Sequence, residues 1–311
     1  MTNELVKRPL IKKIRKVYLS NWRLYVLLLP ALLWLFVFRY TPMYGLTLAF
    51  KDFSIRKGIL DSPWVGLKYF RQFFSTSIAW TLVKNTLILS LESLAFVFPI
   101  PIIFALFLNQ LRYSKIKKIV QTISFAPYFI SNVVVISIMT VILAPGNGFV
   151  NIFLQSLGCE PLMLMTKPEY FRPMYIISEI WQTMGFNAIV YIAALTGVSP
   201  DLHEAAIVDG ANKLQRIFYI DIPTIMPTII IMLIMTVGNI MTVGYEKVYL
   251  MQSGMNTSVS EVISTYVYKT GLQNVQYSLS TAVGLMNSLV NFVLLIISNT
   301  VAKKVSGYGF F

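Results

Sequence analysis

A single cysteine, Cys159, has no intrachain partner, so no disulfide staples this chain. Histidine is as scarce. His203 stands alone, and with one thiol and neither an H-E-x-x-H nor a G-x-S-x-G pattern, the commonest metal and nucleophile arrangements are missing. Charge is sparse too: Asp, Glu, Lys and Arg make up 13% of the 311 residues, against about 25% in an ordinary soluble domain, while 56% are hydrophobic. Such a composition is that of a membrane protein. Its apolar runs reach the roughly 20 residues that a helix needs to cross a hydrocarbon core of about 30 Å, and they lack the ten-residue alternation of a transmembrane barrel. The net charge of +13 comes from basic residues in short segments between those runs, which points to membrane topology and not to a nucleic-acid-binding face.

The pattern predicts an all-α, polytopic chain of about six transmembrane helices, at Leu24 to Met43, Thr81 to Asn109, Val120 to Ala144, Pro173 to Gly197, Pro223 to Glu246 and Ser280 to Val301. With the N-terminus inside, the inner segments (1–23, 110–119, 198–222 and 302–311) carry 15 Lys or Arg in 68 residues, and the outer ones (44–80, 145–172 and 247–279) carry 9 in 98. Both termini are therefore expected in the cytoplasm. The first 23 residues hold seven Lys or Arg; no cleavable signal pattern is recognised, and Leu10, Ile14, Val17 and Tyr18 share one helical face, as an interfacial helix on anionic lipid requires. A basic tail serving topology alone fits equally well. In the outer segment 145–172, Pro145, Gly146, Asn147 and Gly148 signal a turn before a short helix over Phe149 to Leu157. One membrane domain over 1–311 is expected: spans one to four over 24–197, a cytoplasmic loop over 198–222, and the last two spans over 223–311.

That loop, Ser199-Pro200-Asp201-Leu202-His203-Glu204-Ala205-Ala206-Ile207-Val208-Asp209-Gly210, running on to Ile220-Asp221-Ile222-Pro223, is the informative stretch. Ser199 can cap a helix, Pro200 suits its first turn, Asp201 meets its positive end, and Gly210 permits a tight turn. Ala205 and Ala206 leave a flat face that another backbone can approach, and Glu204 and Asp209 offer carboxylates for charge-assisted bonds. His203 reads as a surface histidine with no role.

The segment resembles the E-A-A, three residues, G, nine residues, I-x-L-P signature of permease subunits of binding-protein-dependent ABC importers, with Ile222 where the pattern has leucine. Further stretches, including Arg39-Tyr40-Thr41-Pro42-Met43-Tyr44-Gly45 and Pro63-Trp64-Val65-Gly66, place the resemblance in the carbohydrate-uptake branch, among permeases for oligosaccharides and polysaccharide fragments such as alginate. The resemblance implies a type I ABC importer permease fold in a bacterial inner membrane, with coupling to an ATPase through Glu204, Ala205, Ala206, Asp209, Gly210, Ile220 and Pro223. It also implies partners: a second related permease, two nucleotide-binding ATPase subunits that use ATP and Mg, and a periplasmic or extracellular sugar-binding protein. No G-x-x-x-x-G-K-[ST] cradle occurs in the sequence, so the chain is expected to bind no cofactor of its own and to be a transport subunit, not an enzyme.

Polar side chains inside spans usually face protein or a water-filled path. Glu179, Gln182, Thr183 and Asn187 fall within about 140° of one another on a helix. Thr236, Asn239 and Glu246 mark the fifth span, Asn85 and Glu92 the second, and Gly284, Asn287, Ser288 and Asn291 the sixth. They read either as a sugar path, with Glu179, Gln182, Asn187, Asn239, Asn287 and Asn291 as its candidates, or as helix-to-helix glue. On the outer side, Arg39, Lys51, Arg56, Lys57, Lys68 and Arg71 are placed to attract an anionic saccharide, a docking protein or lipid headgroups. A proton-coupled secondary transporter relaying through Glu92, Glu179 or Glu246 is the rival reading, and it leaves the cytoplasmic motif unexplained.

Overall fold

The computed structural model describes residues 21–111 and 113–310, and these form helices and turns without a named strand. The expected basic interfacial segment lies outside the described residues except for 21–23. Four long apolar runs cross the structure: α1 (Trp22–Phe50), α3 (Ser77–Asn109), α9 (Lys213–Val237) and α12 (Tyr277–Ser306). Between α1 and α3 lies the short outer helix α2 (Lys68–Phe74). Residues between α3 and α9 form α4 (Ser114–Phe125), α5 (Asn132–Ile142), α6 (Phe149–Ser156), α7 (Pro168–Leu195) and α8 (Pro200–Val208). Those between α9 and α12 include α10 (Tyr245–Met251) and α11 (Ile263–Tyr268).

Proline explains a recurring irregularity in the long runs. Proline lacks an N–H and its ring collides with the carbonyl four residues earlier. Widened π turns at Phe36–Tyr40, Ser93–Val97 and Ile217–Asp221 end two residues before Pro42, Pro99 and Pro223, and the threatened carbonyls of Phe38, Ala95 and Tyr219 lie inside them. The helices thus continue past proline at the expense of a local bulge. This is why α9 begins at Lys213, ten residues before the expected Pro223.

Two expected spans need correction. The third is not one straight helix over Val120 to Ala144, because α4 with its 3-10 extension and α5 meet at 97°. Pro127 starts the tight turn, Ile130 and Ser131 are extended, and Ser131 Oγ accepts the Val134 N–H to cap α5 afresh. The fifth span ends at Val237 and not at Glu246. Gly238 packs against Leu295, Met241 N–H donates to Asn291 Oδ1 at 2.9 Å, and the chain runs on as a turn to α10. The other four expected spans coincide with α1, α3, α7 and α12, and the expected outer helix after the Pro145-Gly146-Asn147-Gly148 turn is α6.

Packing centres on α7. Its inner half meets the Pro99–Asn109 part of α3 and α9 through Ala188, Tyr191, Leu195, Ala105 and Ile225. Its outer half meets α5 and α10 through Tyr175, Ile176, Ile136 and Val248. Gly185 permits the close approach of α4, because a β-carbon there would collide with the Ser124 carbonyl. The end of the bundle expected to face outward is closed by the segment 252–268, which Asn85 holds through bonds of 3.0 Å to the Ser258 and Glu261 carbonyls while Thr86 Oγ1 accepts Ile263 N–H. Residues Leu24 to Phe38 of α1 are exposed and apolar on all sides, as a helix surrounded by hydrocarbon would be.

Candidate translocation cavity and coupling helix

Facing parts of α3, α7 and α9 enclose a cavity of about 420 Å³, lined by Ser90, Ser93, Tyr175, Glu179, Asn187, Thr236 and Asn239 among apolar neighbours. A second space of about 370 Å³ shares Tyr175, Glu179 and Gly244 with it and adds Tyr128, Asn132, Gln182, Glu246 and Lys247. Together they form a seam along α7 in which polar side chains alternate with apolar ones. At their junction Lys247 Nζ donates to Glu179 Oε2 at 2.6 Å and to Gln182 Oε1 at 3.4 Å, and it lies 5.3 Å from the Tyr175 ring. Gln182 in turn donates to the Ile130 carbonyl and to Asn132 Oδ1, and Asn132 donates to Glu246 Oε2 at 2.6 Å. The α4–α5 break and the turn after α9 are therefore what bring Asn132, Glu246 and Lys247 to the seam. Tyr128 stacks on Phe186 at 3.7 Å, leaving an aromatic ring at the edge of the second space.

Four of the six path candidates, Glu179, Gln182, Asn187 and Asn239, line this seam. Asn239 does so from the turn after α9, with its amide bonded to the Met235 carbonyl. The remaining two lie elsewhere. Asn291 is buried and holds the same turn through Met241 N–H and Thr242 Oγ1, and Asn287 lines neither space. Asn85 is likewise glue to the outer segment. Lys247, the central cation of the seam, was missed because it sits in an apparent outer loop; its signal was a Glu-Lys pair directly after an apolar run that ends in Gly238 and Gly244.

Of the six basic residues expected on the outer side, two are already engaged. Lys51 is buried and donates to the Ile59 and Leu60 carbonyls, and Lys68 pairs with Asp52 at 3.0 Å. The Tyr69 hydroxyl donates to Asp52 Oδ1 at 2.5 Å, and this bond, followed by that of Lys68, holds the Asp52 carboxyl below its usual range. Burial first, and the Asp52 bond second, push the Tyr69 phenol up to about 12. Arg39, Arg56, Lys57 and Arg71 remain exposed.

At the opposite end, α8 leaves α7 at a bend of 78°. Ser199 Oγ accepts the Asp201 N–H at its start. Its end is a Schellman turn: Ala211 N–H reaches the Ala206 carbonyl at 2.8 Å, Gly210 N–H reaches that of Ile207 at 3.0 Å, and Gly210 takes φ +78°. Asn212 and Gln215 then form a reciprocal capping box that opens α9. Glu204, Ala205, Asp209 and Gly210 are exposed and Ala206 is half-buried, whereas Ile220 and Pro223 lie in the first turns of α9. Val208 is 87% exposed and Ile207 56%, an apolar tip beyond the body of the structure. His203 contradicts its reading as a free surface side chain, since Nε2 lies 3.1 Å from Asp221 Oδ1. Among the described residues, no group of three or more His, Cys, Asp or Glu is placed to hold a metal ion.

The sequence pattern of the binding-protein-dependent transport system inner membrane component family matches residues 98–307. The chain is 40% identical to the polygalacturonan/rhamnogalacturonan transport system permease protein YteP of Bacillus subtilis (strain 168), covering 98% of this chain and 94% of that one. It is 41% identical to protein LplB of the same organism, over 94% and 92% of the two chains. Among solved structures it resembles a bacterial ABC transporter involved in the import of the acidic polysaccharide alginate, with a TM-score of 0.88 and 39% identity over 94% of this chain and 99% of that chain. A bacterial alginate ABC transporter in complex with an alginate pentasaccharide-bound periplasmic protein matches at a TM-score of 0.87 and 39% identity, over 94% and 98% of the two chains.

Proposed function

The chain belongs to the binding-protein-dependent transport system inner membrane components, as a permease of the carbohydrate ABC importers, and from that premise we propose that it forms one half of an ATP-driven pore for acidic oligosaccharides. A second, related permease supplies the other half. Of two ATPase subunits in the cytoplasm, where both termini lie, one grips α8, and the pair hydrolyses ATP with Mg; a soluble sugar-binding protein delivers the cargo outside.

The observation that carries this reading is the capped helix α8. An exposed apolar tip of Ile207 and Val208 beside the carboxylates of Glu204 and Asp209 is a surface for another protein, and its caps hold it helical between α7 and α9. Movement then proceeds by alternating access, with ATP closing the ATPases and the permeases rocking as bodies about the seam. The Glu179 carboxylate and the amides of Gln182, Asn187 and Asn239 offer few, separated bonds to sugar hydroxyls, which suits passage better than retention. Acidic cargo is supported by two relatives, one named for polygalacturonan, a polymer of uronic acid, and one for alginate. The seam itself carries one cation, Lys247, against Glu179 and Glu246, so attraction of an anionic sugar rests on the outer arginines and lysines.

Affinity purification of this chain from its own membrane tests the reading. Co-elution of a related permease and a nucleotide-binding subunit, with ATPase activity that rises when a sugar-loaded binding protein is added, is expected. Elution alone and without ATPase would instead favour the proton-coupled transporter.

A further inference from the structure

Helix α8 has few ties to the body of the protein. None of its residues is buried, and among the described residues no other element packs extensively against it. Its caps fix where it begins and ends, but they do not fix its angle. One side chain crosses from its middle: His203, 21% exposed, whose Nε2 lies 3.1 Å from Asp221 Oδ1. Asp221 is fully buried in the π turn at the root of α9, and Gln110, at the inner end of α3, donates to its other oxygen at 2.9 Å. Arg216, immediately before that turn, is a cation whose field reaches the carboxylate. Oδ1 has no hydrogen bond of good geometry, which leaves the His203 approach as its compensation. A carboxylate taken wholly out of water is unfavourable without such partners.

We infer that His203, Asp221 and Gln110 form a clasp that fixes the angle of α8 against α9 and α3, which makes His203 a positioning residue for passing the ATPase stroke into the membrane helices. This rests on the importer reading above. Without the clasp α8 stays helical, because its caps are backbone and Ser199 bonds, but it swivels on its bend, and part of each stroke is lost before it reaches α9. His203 differs in this from Glu204 and Asp209, which face outward to the partner. The clasp also gives the π turn a use: it turns a side chain of α9 inward at the level where α8 and α3 both reach it.

The test is transport stoichiometry in proteoliposomes holding the whole complex, with wild type, His203→Ala, His203→Gln and Asp221→Asn compared at equal assembly. His203→Ala is expected to lower sugar imported per ATP hydrolysed about fivefold or more, the lower end of ordinary site-to-site coupling. His203→Gln, whose amide can still donate, recovers most of it, and Asp221→Asn, isosteric and neutral, falls between. A ratio within twofold of wild type in both His203→Ala and Asp221→Asn overturns the clasp. So does a His203→Gln loss equal to that of alanine, which would make the imidazole a packing group. If His203→Ala fails to assemble, His203→Gln and Asp221→Asn decide by the same ratio. Absence of sugar-dependent ATPase in the wild-type complex would overturn the importer reading itself, a separate result from normal coupling in the variants.

Discussion

Breaking the Glu179–Lys247 pair should be costly from one side and mild from the other. The two groups are 2.6 Å apart, but the lysine side chain is 4% exposed and the glutamate 27%. Glu179→Gln leaves a buried ammonium with Gln182 Oε1 at 3.4 Å and the Tyr175 face at 5.3 Å. Leaving one partner of a buried ion pair uncompensated costs about 3 to 5 kcal/mol, and the retained amide oxygen puts the expectation near ~3 kcal/mol. Lys247→Met leaves a carboxylate that opens onto the cavity and keeps access to water, so its effect should be about 1 kcal/mol. Removing both charges together should destabilise by about 2 kcal/mol less than the sum of the singles, within the range for residues in contact. The assay is equilibrium unfolding of the detergent-solubilised protein, followed by loss of helicity, for the two singles and the double beside wild type. Additivity to within about 0.5 kcal/mol would refute the reasoning, because it would mean that the charges do not compensate one another.

Gly185→Ala drives a β-carbon into the Ser124 carbonyl and should cost about 1 to 3 kcal/mol, seen as a lower melting temperature; an unchanged melt would contradict the close approach of α4 to α7. Glu204→Lys, at an exposed position, should leave the fold within about 0.5 kcal/mol of wild type while separating ATP hydrolysis from uptake, and normal uptake at normal expression would count against the docking role. The outer loop around Asp52 should be stable across a bounded pH range. Because the folded-state value of Asp52 is lowered, its contribution is present above about pH 3.8 and is lost as the pH falls through the lowered value. Tyr69 is raised, so its contribution is complete below pH 10.0 and is lost as the pH rises through about 12. Amide exchange over residues 51–76 should follow both limbs, and Asp52→Asn should remove the acid one.

Much of the fold was legible because a membrane span needs little beyond length and apolarity. α1, α3 and α12 satisfy both and appear where the hydropathy places them, and the more polar α7 lies where the fourth span was expected. The failures share a cause. Val120 to Ala144 is apolar enough to span, but periodicity carries no information about a break, and Pro127 could have been read as a tolerated kink. The expected end at Glu246 followed from apolar residues running past Gly238, where only the bond from Met241 to Asn291, fifty residues on, reveals the turn. The bounds of α8 were legible, since Ser199, Pro200 and Gly210 are local signals acting on their own backbone. Side-chain partners across the fold were not. Asn291 and Asn85 look like path residues in a helical projection and are glue in three dimensions, whereas Lys247 and His203 gain their meaning from Glu179 and Asp221, which the sequence places 68 and 18 positions away.

The most direct measurement is uptake of a labelled acidic oligosaccharide into proteoliposomes that contain this chain with its co-purified companions, driven by ATP inside and supplied with the binding protein outside. The account predicts accumulation that requires both ATP and the binding protein and persists when a protonophore collapses the proton gradient. Uptake that survives without ATP and stops with the protonophore would contradict it.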